Sequence, residues 1–258
     1  MDDDGHGTHV AGIVAASGVI TGVAPGAKLL AYKVGSAYAS TSNVIAALES
    51  AADPDEDPAT DDGAQVANLS IGGRGNPDDP LCQAVDHAVD LGMVVVVAAG
   101  NSGPDFQTLT SPGMARKALT VAASDKSDQI ASFSSRGPVP GFFSVLKPDI
   151  TAPGVAISST VPASGEHGDS SRYRAFNGTS MSAPHVAGAA ALIRQLHPAW
   201  SPEMIKSNLM NTARNLGKSV YEQGAGRVQI AQAATTPLIV SPGSFSFGIP
   251  NITWSSVH

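Results

Sequence analysis

The features that mark membrane-spanning, nucleic-acid-binding and disulfide-linked proteins are scarce in this sequence. Of its 258 residues only 5% are aromatic, and the one cysteine, Cys82, cannot form an internal disulfide. The longest apolar run covers residues 93–99, whereas a transmembrane helix needs about 20 apolar residues. A formal net charge of −7 disfavours nucleic acids and anionic membranes, whose phosphates attract basic surfaces. We therefore expect neither as a partner.

The negative charge is concentrated in two short segments. Residues 2–4 are all aspartate, and residues 53–62 hold six more acids, so nine of the 22 acidic residues lie there. The rest of the chain is close to neutral. Carboxylates in the 53–62 loop could hold Ca²⁺, although acidic runs of this kind are usually only solvated. We predict no cofactor and no metal ligands, with structural calcium as the alternative.

What the sequence does contain is an alternation of strand and helix patterns. Short apolar runs predict strands at 28–34, 65–71, 93–99 and 118–123. Helical spacing of apolar residues predicts helices at 43–52, 80–91, 180–196 and 202–213. Apolar strands separated by helices indicate an α/β fold in which helices flank a mostly parallel central sheet on both sides. Functional residues are then expected at the carboxyl ends of the strands.

Two histidines lie one helical turn apart in the segment GHGTHVAG, residues 5–12. A helix that begins near His6 places His6 and His9 on nearly the same face. The pair could bind a metal ion, but the HExxH pattern is absent and no motif supplies a third ligand. Alternatively, one histidine is a general base and the other is structural. The motif alone leaves both interpretations open.

A serine follows a glycine turn in the segment FNGTSMSAPHVAG, residues 176–188. Gly178 permits the turn, and Ser180 then lies at or next to a helix N-terminus, where backbone N–H groups favour negative charge. Pro184 is expected in the first turn, where a missing N–H costs nothing. A hydroxyl at this place can attack a carbonyl group, although most serines at helix starts are simple N-caps.

An asparagine follows the most apolar of the predicted strands. Asn101 lies in the segment AAGNSG, and its side-chain amide could donate to an oxyanion. An ordinary asparagine in a turn has the same sequence context. Taken together, however, His6, Asn101 and Ser180 supply a base, an oxyanion donor and a nucleophile.

At these three places the sequence resembles the subtilisin-like serine proteases, or subtilases. GHGTHVAG, AAGN and GTSMSAPHVAG are similar to the His, oxyanion and Ser motifs of that family and occur in its order. The resemblance implies a three-layer subtilisin-like fold, serine endopeptidase activity on polypeptide substrates and a secreted parent protein. It also implies that His6 is the base, Ser180 the nucleophile and Asn101 the oxyanion donor. His9 and His185 are then structural.

The resemblance also implies where a substrate binds. Two short segments would form the walls of the pocket for the side chain that precedes the scissile bond. Their residues are Ser70, Ile71, Gly72, Ala98, Ala99 and Gly100. Residues 35–41 would pair with the substrate backbone as a strand edge.

One part of the family pattern is absent. The family's catalytic Asp lies on a strand well upstream of the His motif, and only five residues precede His6 here. Asp2, Asp3 and Asp4 are poor substitutes, because the triad needs a rigidly held carboxylate and chain termini fray. We therefore expect weak or no activity from the chain as it stands. The alternatives are a non-catalytic, subtilase-like binding module and, more remotely, a metal-dependent hydrolase that uses His6 and His9.

The sequence is expected to be a piece of a longer protein, truncated at both ends. No basic and apolar leader is present, so no signal peptide is expected within it. Residues 1–236 are predicted to form the catalytic domain. Residues 237–258 alternate like strands and are predicted to begin a following β-rich domain, of fibronectin III-like type. The alternative is a C-terminal strand of the main domain.

Overall fold

The computed structural model describes residues 2–36, 38–57, 62–236 and 238–248. Within these residues, four parallel strands form the central sheet. They are β1 (Val66–Leu69), β2 (Val94–Ala98), β3 (Leu119–Ser124) and β4 (Ile150–Pro153), in that spatial order. Along the register, Asn68 lies opposite Val96, Val97 opposite Thr120, and Val121 opposite Ile150. A separate antiparallel pair consists of β5 (Ile157–Thr160) and β6 (Tyr173–Phe176).

Helices precede, connect and follow the strands. They are α1 (His6–Ala15), α2 (Thr41–Ala52), α3 (Pro80–Asp90), α4 (Thr179–Leu196), α5 (Pro202–Asn211), α6 (Val220–Gln223) and α7 (Ile230–Thr235). Capping side chains fix several of their starts. The side chains of Ser40, Asp79 and Ser201 accept hydrogen bonds from backbone N–H groups of α2, α3 and α5, which satisfies donors that have no partner within a helix.

Both faces of the sheet are covered, which gives three layers. On one face, α4, α5 and α7 pack on a core that includes Val96 and Val121. On the other face, α2 and α3 cover Val95 and Val97. Alternate residues of a strand point to opposite faces, so β2 is apolar throughout because each of its faces is buried. The predicted α/β fold with a parallel sheet between helices is therefore confirmed.

Most predicted elements are present, with their ends shifted by a few residues. The predictions at 65–71, 93–99 and 118–123 correspond to β1, β2 and β3, and those at 43–52, 80–91, 180–196 and 202–213 correspond to α2, α3, α4 and α5. The sequence patterns missed the short elements β4, β5, β6, α6 and α7. Elements of four to six residues are too short to show a clear period.

The strand predicted at 28–34 is wrong. The segment has no ladder partner, and Leu29 and Leu30 are 52% and 59% exposed. It lines a cavity that also borders β1, and among the described residues no strand pairs with the outer edge of β1. An apolar run becomes a strand only where a neighbour satisfies its backbone N–H and C=O groups. Residues 28–34 lack such a neighbour within the described part of the chain.

The C-terminal segment 238–248 forms neither helix nor strand. It lies against the main domain, because the Asn211 amide donates to Val240 O at 2.8 Å and Ser246 Oγ donates to Phe143 O at 3.0 Å. Residue 237 and residues 249–258 lie outside the described residues, so the second domain stays a prediction. No helix in the described ranges is long and apolar enough to cross a membrane.

Candidate active site

Ser180 lies in the first turn of α4. The helix is preceded by Gly178, where the chain turns sharply. Gly178 has a φ of 152°, a conformation that residues with a Cβ rarely adopt. Ser180 Oγ donates to Ser70 O at 3.2 Å, and Ser70 Oγ donates to Ser180 O at 2.8 Å. This reciprocal pair ties the start of α4 to the segment that follows β1. Ser180 is therefore held at the carboxyl end of the sheet, where site residues were expected.

Pro184 explains why Ser180 O is free to accept that hydrogen bond. The prediction that Pro184 occupies the first turn is wrong, because it lies inside α4. A proline there removes the N–H that would bond to the carbonyl four residues earlier, and that carbonyl belongs to Ser180. Ser70 Oγ takes the place of the missing donor. Pro184 thus leaves the carbonyl of Ser180 without a partner in the helix, and this carbonyl bonds to the segment after β1 instead.

Asn101 follows β2, and its side-chain oxygen is fixed by the neighbour of Ser180. Asn101 Oδ1 accepts from Thr179 N at 2.9 Å and from Thr179 Oγ1 at 3.0 Å. Thr179 Oγ1 in turn accepts from Gly100 N at 3.2 Å. With its oxygen engaged, Asn101 presents its Nδ2 donor, which lies 3.6 Å from where a Cβ on Gly178 would stand. The Nδ2 donor of Asn101 therefore lies next to Gly178, at the start of α4.

His6 is the first residue of α1. Its backbone N–H donates to Asp4 Oδ1 at 2.9 Å, and Gly5 enters the helix with a φ of 102°. Burial lowers the pKa of the His6 imidazole below its ordinary value of 6.5, and this effect outweighs the opposing influence of the Asp4 and Asp2 carboxylates. The ring is therefore neutral at neutral pH, which is the form that can accept a proton.

One cavity of about 2140 Å³ is lined by all of these side chains. His6, Asn101 and Ser180 all line it, as do Ser70, Ile71 and Gly72. Ala98, Ala99 and Gly100 are buried at the end of β2 and are not among its lining residues. Of the predicted site residues, the three proposed for chemistry and the segment after β1 thus share one cavity, and Ala98, Ala99 and Gly100 do not line it.

The other two histidines of the motifs are held by the protein interior. His9 Nε2 lies 3.0 Å from both Ile157 O and Arg174 O, and its ring stacks on Phe176 at 4.2 Å between centroids. His185 Nδ1 lies 2.8 Å from Met181 O. Among the described residues, neither His6 nor His9 belongs to a group with metal-ligand spacing. The arrangement gives no support to the metal-dependent alternative.

The aspartates before α1 have structural partners. Asp2 Oδ2 accepts from Thr8 N at 2.7 Å, and Asp3 pairs with Lys33 at 2.7 Å. Burial acts to raise the pKa of Asp2, but hydrogen bonds from Thr8 and Gly5 outweigh it and hold the pKa below its usual range. In the described residues no carboxylate forms a hydrogen bond with the ring of His6.

The sequence patterns missed Asn68, which is linked to Ser180 through Ser70. Its Nδ2 donates to Ser70 Oγ at 3.0 Å, and Ser70 Oγ donates onward to Ser180 O. Asn68 and Ser70 are two residues apart on an extended segment and therefore point to the same side. A polar residue two positions before a predicted site serine was the available signal.

Comparisons with known proteins identify the family. The model of the subtilase family matches residues 1–226. The chain is 43% identical over 240 residues to Subtilisin Savinase of Lederbergia lenta, covering 91% of this chain and 79% of that protein. It is 43% identical to the Alkaline protease of Alkalihalobacillus alcalophilus, covering 91% of this chain and 56% of that protein. It is 32% identical to the Minor extracellular protease Vpr of Bacillus subtilis, with 94% and 47% covered.

A solved structure shows the same fold. The structure described as proteases from Pseudoalteromonas arctica PAMC 21717 superimposes with a TM-score of 0.75 at 33% identity, over 89% of this chain and 70% of that one. Together with the matched family model and the relatives, this likeness settles the family. The chain belongs to the subtilases, the family of subtilisin-like serine peptidases.

Proposed function

We propose that this protein hydrolyses peptide bonds through an acyl-enzyme on Ser180, with His6 as the base and Asn101 as the oxyanion donor. The observation that carries the proposal is the shared cavity of His6, Asn101 and Ser180, with Asn101 Oδ1 held by Thr179 so that Nδ2 is the group left to donate. Polypeptides are the proposed substrates, as they are for the family.

The chemistry follows from these positions. Ser180 Oγ attacks the substrate carbonyl carbon while its proton passes to the neutral imidazole of His6. Negative charge develops on the carbonyl oxygen, where Asn101 Nδ2 and the Ser180 backbone N–H at the start of α4 stabilise it. His6 then protonates the departing amine, and the C–N bond breaks. Water attacks the ester in the second half of the cycle and regenerates the Ser180 hydroxyl.

Substrate binding is proposed along the walls that surround Ser180. Ser70, Ile71 and Gly72 line the cavity, and the small residues Ala98, Ala99 and Gly100 are proposed as its second wall. Small walls leave room for a bulky apolar side chain. Residues 35–41 are proposed to pair with the substrate backbone. Gly35 and Ala39 bridge each other in antiparallel fashion, and residue 37 lies outside the described residues.

The third triad group is proposed to come from a strand that pairs with β1. The outer edge of β1 has no partner strand among the described residues, and the cavity that borders it also reaches His6. A parallel strand added there would end at the same edge of the sheet as Ser70. We propose that such a strand carries the Asp that orients His6, and that the chain without it is a poor catalyst.

A second candidate is a non-catalytic module that binds peptides. The observation that favours it is that no described carboxylate bonds to the His6 ring, while His6, Asn101 and Ser180 still line a cavity. A binding module would take up peptides along the same walls without cleaving them. The two functions differ in whether Ser180 becomes acylated.

We also propose that this protein acts outside the cell, because one relative, the Minor extracellular protease Vpr, is named as an extracellular protease. The acidic balance of the chain supports the absence of nucleic-acid and anionic-membrane partners.

Hydrolysis of a fluorogenic peptide library tests the proposed activity. We expect slow cleavage that disappears in Ser180→Ala. Ser201→Ala is the matched control, because Ser201 also stands at a helix start but only caps α5, and it should cleave like the unmodified chain. Peptide binding without cleavage, equal in the unmodified chain and in Ser180→Ala, would instead establish the binding module.

A further inference from the structure

A group of three potential metal ligands lies on the rim of the cavity, outside the catalytic set. Asp4, Glu166 and His167 each offer one ligand atom, and these atoms lie within 4.8 Å of one another. Asp4 and His167 line the same cavity as Ser180. The group joins two distant parts of the chain, the segment before α1 and the loop between β5 and β6. The catalytic mechanism uses none of the three side chains.

The backbone holds these two segments together around the group. Glu166 N donates to Asp3 O at 3.1 Å, and His167 N donates to Asp4 O at 2.7 Å. Gly165 has a φ of 114°, and a Cβ there would stand 2.5 Å from Asp3 O, so the close approach depends on a glycine. The ligand-bearing residues are therefore in place before any ion binds.

The spacing between two of the ligand atoms fits a tetrahedral ion. Asp4 Oδ2 and His167 Nδ1 lie 3.3 Å apart. Nδ1 is shielded from solvent and, in the described residues, makes no hydrogen bond. Two ligands that are each about 2.0–2.2 Å from a tetrahedral Zn²⁺ stand roughly 3.3–3.6 Å apart. The two atoms are thus at the spacing of neighbouring ligands of one ion.

The remaining contacts of the group orient it further. Asp4 Oδ1 accepts from His6 N at 2.9 Å, which leaves Oδ2 directed at His167. The His167 ring packs edge-on against Phe176 at 5.5 Å between centroids. Glu166 is exposed, and its side chain is free to complete the coordination. Two carboxylates and a neutral imidazole would balance the charge of one divalent cation.

We propose that Asp4, Glu166 and His167 bind one Zn²⁺, with water as the fourth ligand, and that the ion fastens the segment before α1 to the β5–β6 loop. The mixed nitrogen and oxygen donors favour a transition-metal ion over Ca²⁺, which prefers oxygen alone. The inference is independent of the proposed catalysis. A second group, Asp53, Asp55 and Asp62, has carboxylates only and is exposed or half-buried, and it carries no proposal.

Isothermal titration of the chelator-treated chain with ZnCl₂ tests the site. We expect one equivalent to bind, with affinity at least about tenfold weaker in His167→Gln and in Glu166→Gln, since each variant removes a ligand. His87→Gln and Asp53→Asn are the controls, because His87 is an exposed histidine on α3 and Asp53 belongs to the carboxylate-only group. Both should bind Zn²⁺ like the unmodified chain.

Two further readouts do not depend on activity. Zn²⁺ should raise the Tm of the unmodified chain but not that of His167→Gln, because binding to the folded state alone is stabilising. Co²⁺ in place of Zn²⁺ should give the visible absorption of a tetrahedral site, and this band should vanish in His167→Gln. Absence of binding in the unmodified chain, or equal binding in His167→Gln, would overturn the proposal.

Discussion

The two edges of the central sheet differ sharply. At the β4 edge, Ile150, Thr151 and Ala152 are fully buried, and the chain supplies its own cover, since Thr151 N donates to Gly226 O and Val228 N donates to Thr151 O. At the β1 edge, residues 66–68 are only half-buried, and a cavity separates them from the exposed segment 28–34. We call the β4 edge of the sheet the closed side and the β1 edge the open side.

The difference separates what stabilises the fold from what completes the site. Helix α4, which carries Ser180, packs across one face of the sheet and contacts both β1 and β4, and its buried side chains share one core with those of α5. The open side contains the cavity with His6 and Ser180 and a free strand edge, which is a template for pairing with another strand. Changes on the closed side should alter stability, and changes on the open side should alter activity.

The largest expected effect comes from filling the open edge. A peptide spanning the Asp-bearing strand of a subtilase relative should raise kcat by up to about 3 × 10⁴, the loss recorded when subtilisin, itself a member of this family, lacks its Asp. The reason is that a carboxylate would orient and stabilise the His6 imidazole. Steady-state hydrolysis with and without the peptide measures the effect.

The control for this experiment is the same peptide with its Asp changed to Asn. It should bind the β1 edge equally well and leave kcat almost unchanged. Rates near those of intact subtilases without any added peptide would show that the chain is not impaired, and would refute the need for a strand at this edge.

On the closed side, Asp149→Asn should lower the free energy of unfolding by about 3–5 kcal/mol. Asp149 lies 2.7 Å from Lys147 Nζ and 3.0 Å from Lys206 Nζ, and both Asp149 and Lys147 are almost fully buried. Loss of the carboxylate charge leaves the Lys147 ammonium buried without its counter-ion. Urea denaturation followed by circular dichroism measures the change.

Asp90→Asn is the matched control, because Asp90 pairs with Lys117 at the surface, where both side chains are about half exposed. Exposed pairs contribute about 0–1 kcal/mol. Equal losses in the two variants would contradict the contrast between a stabilising closed side and a solvated surface.

At the boundary between the two sides, Asn101→Ala should lower kcat by about 10²–10³, or roughly 3–4 kcal/mol, the size seen when subtilisin loses its oxyanion asparagine. KM should change little, since the donor acts on charge that develops in the transition state. The comparison is made with the complementing peptide present. Asn211→Ala, at a residue that bonds the C-terminal segment, should leave kcat unaltered.

The smallest effect is a pH dependence of stability. Burial lowers the pKa values of His6, His9 and His185 below 6.5 in the folded chain. Below that pH the unfolded chain binds more protons than the folded chain, so stability is lost as the pH falls through about 6.5 and is constant above it. We expect Tm to fall by a few degrees between pH 7.5 and 5.5.

Calorimetry of two variants tests whether buried histidines cause this dependence of Tm on pH. His185→Gln should flatten it, because one buried imidazole no longer resists protonation. His87→Gln, at an exposed histidine, should leave it as it is. A Tm that rises as the pH falls would contradict the assignment to buried histidines.

The sequence predicted the closed side better than the open side. The run in β2 and the spacing in α4 reflect burial by neighbours within the chain, so periodicity locates them. The run at 28–34 holds five apolar residues and two lysines, and within the described residues it has no neighbouring strand to pair with. Local pattern cannot report whether a neighbour is present.

The candidate site divides in the same way. Motifs located His6, Asn101 and Ser180, because a turn, a strand end and a helix start leave marks in the sequence. The hydrogen bond that joins Ser70 to Ser180 and the proximity of Asp4 to His167 depend on tertiary contacts, across 110 and 163 positions. The role of Pro184 was misjudged, since its value lies in freeing Ser180 O for Ser70 rather than in starting the helix.

Covalent labelling with a fluorophosphonate, mapped by mass spectrometry, tests most directly whether Ser180 is a nucleophile activated by His6. We predict a single adduct on Ser180 that forms slowly, forms faster with the complementing strand, and is lost in His6→Ala but not in Ser201→Ala. An adduct on another residue, or labelling of Ser180 at the same rate in His6→Ala, would contradict the account.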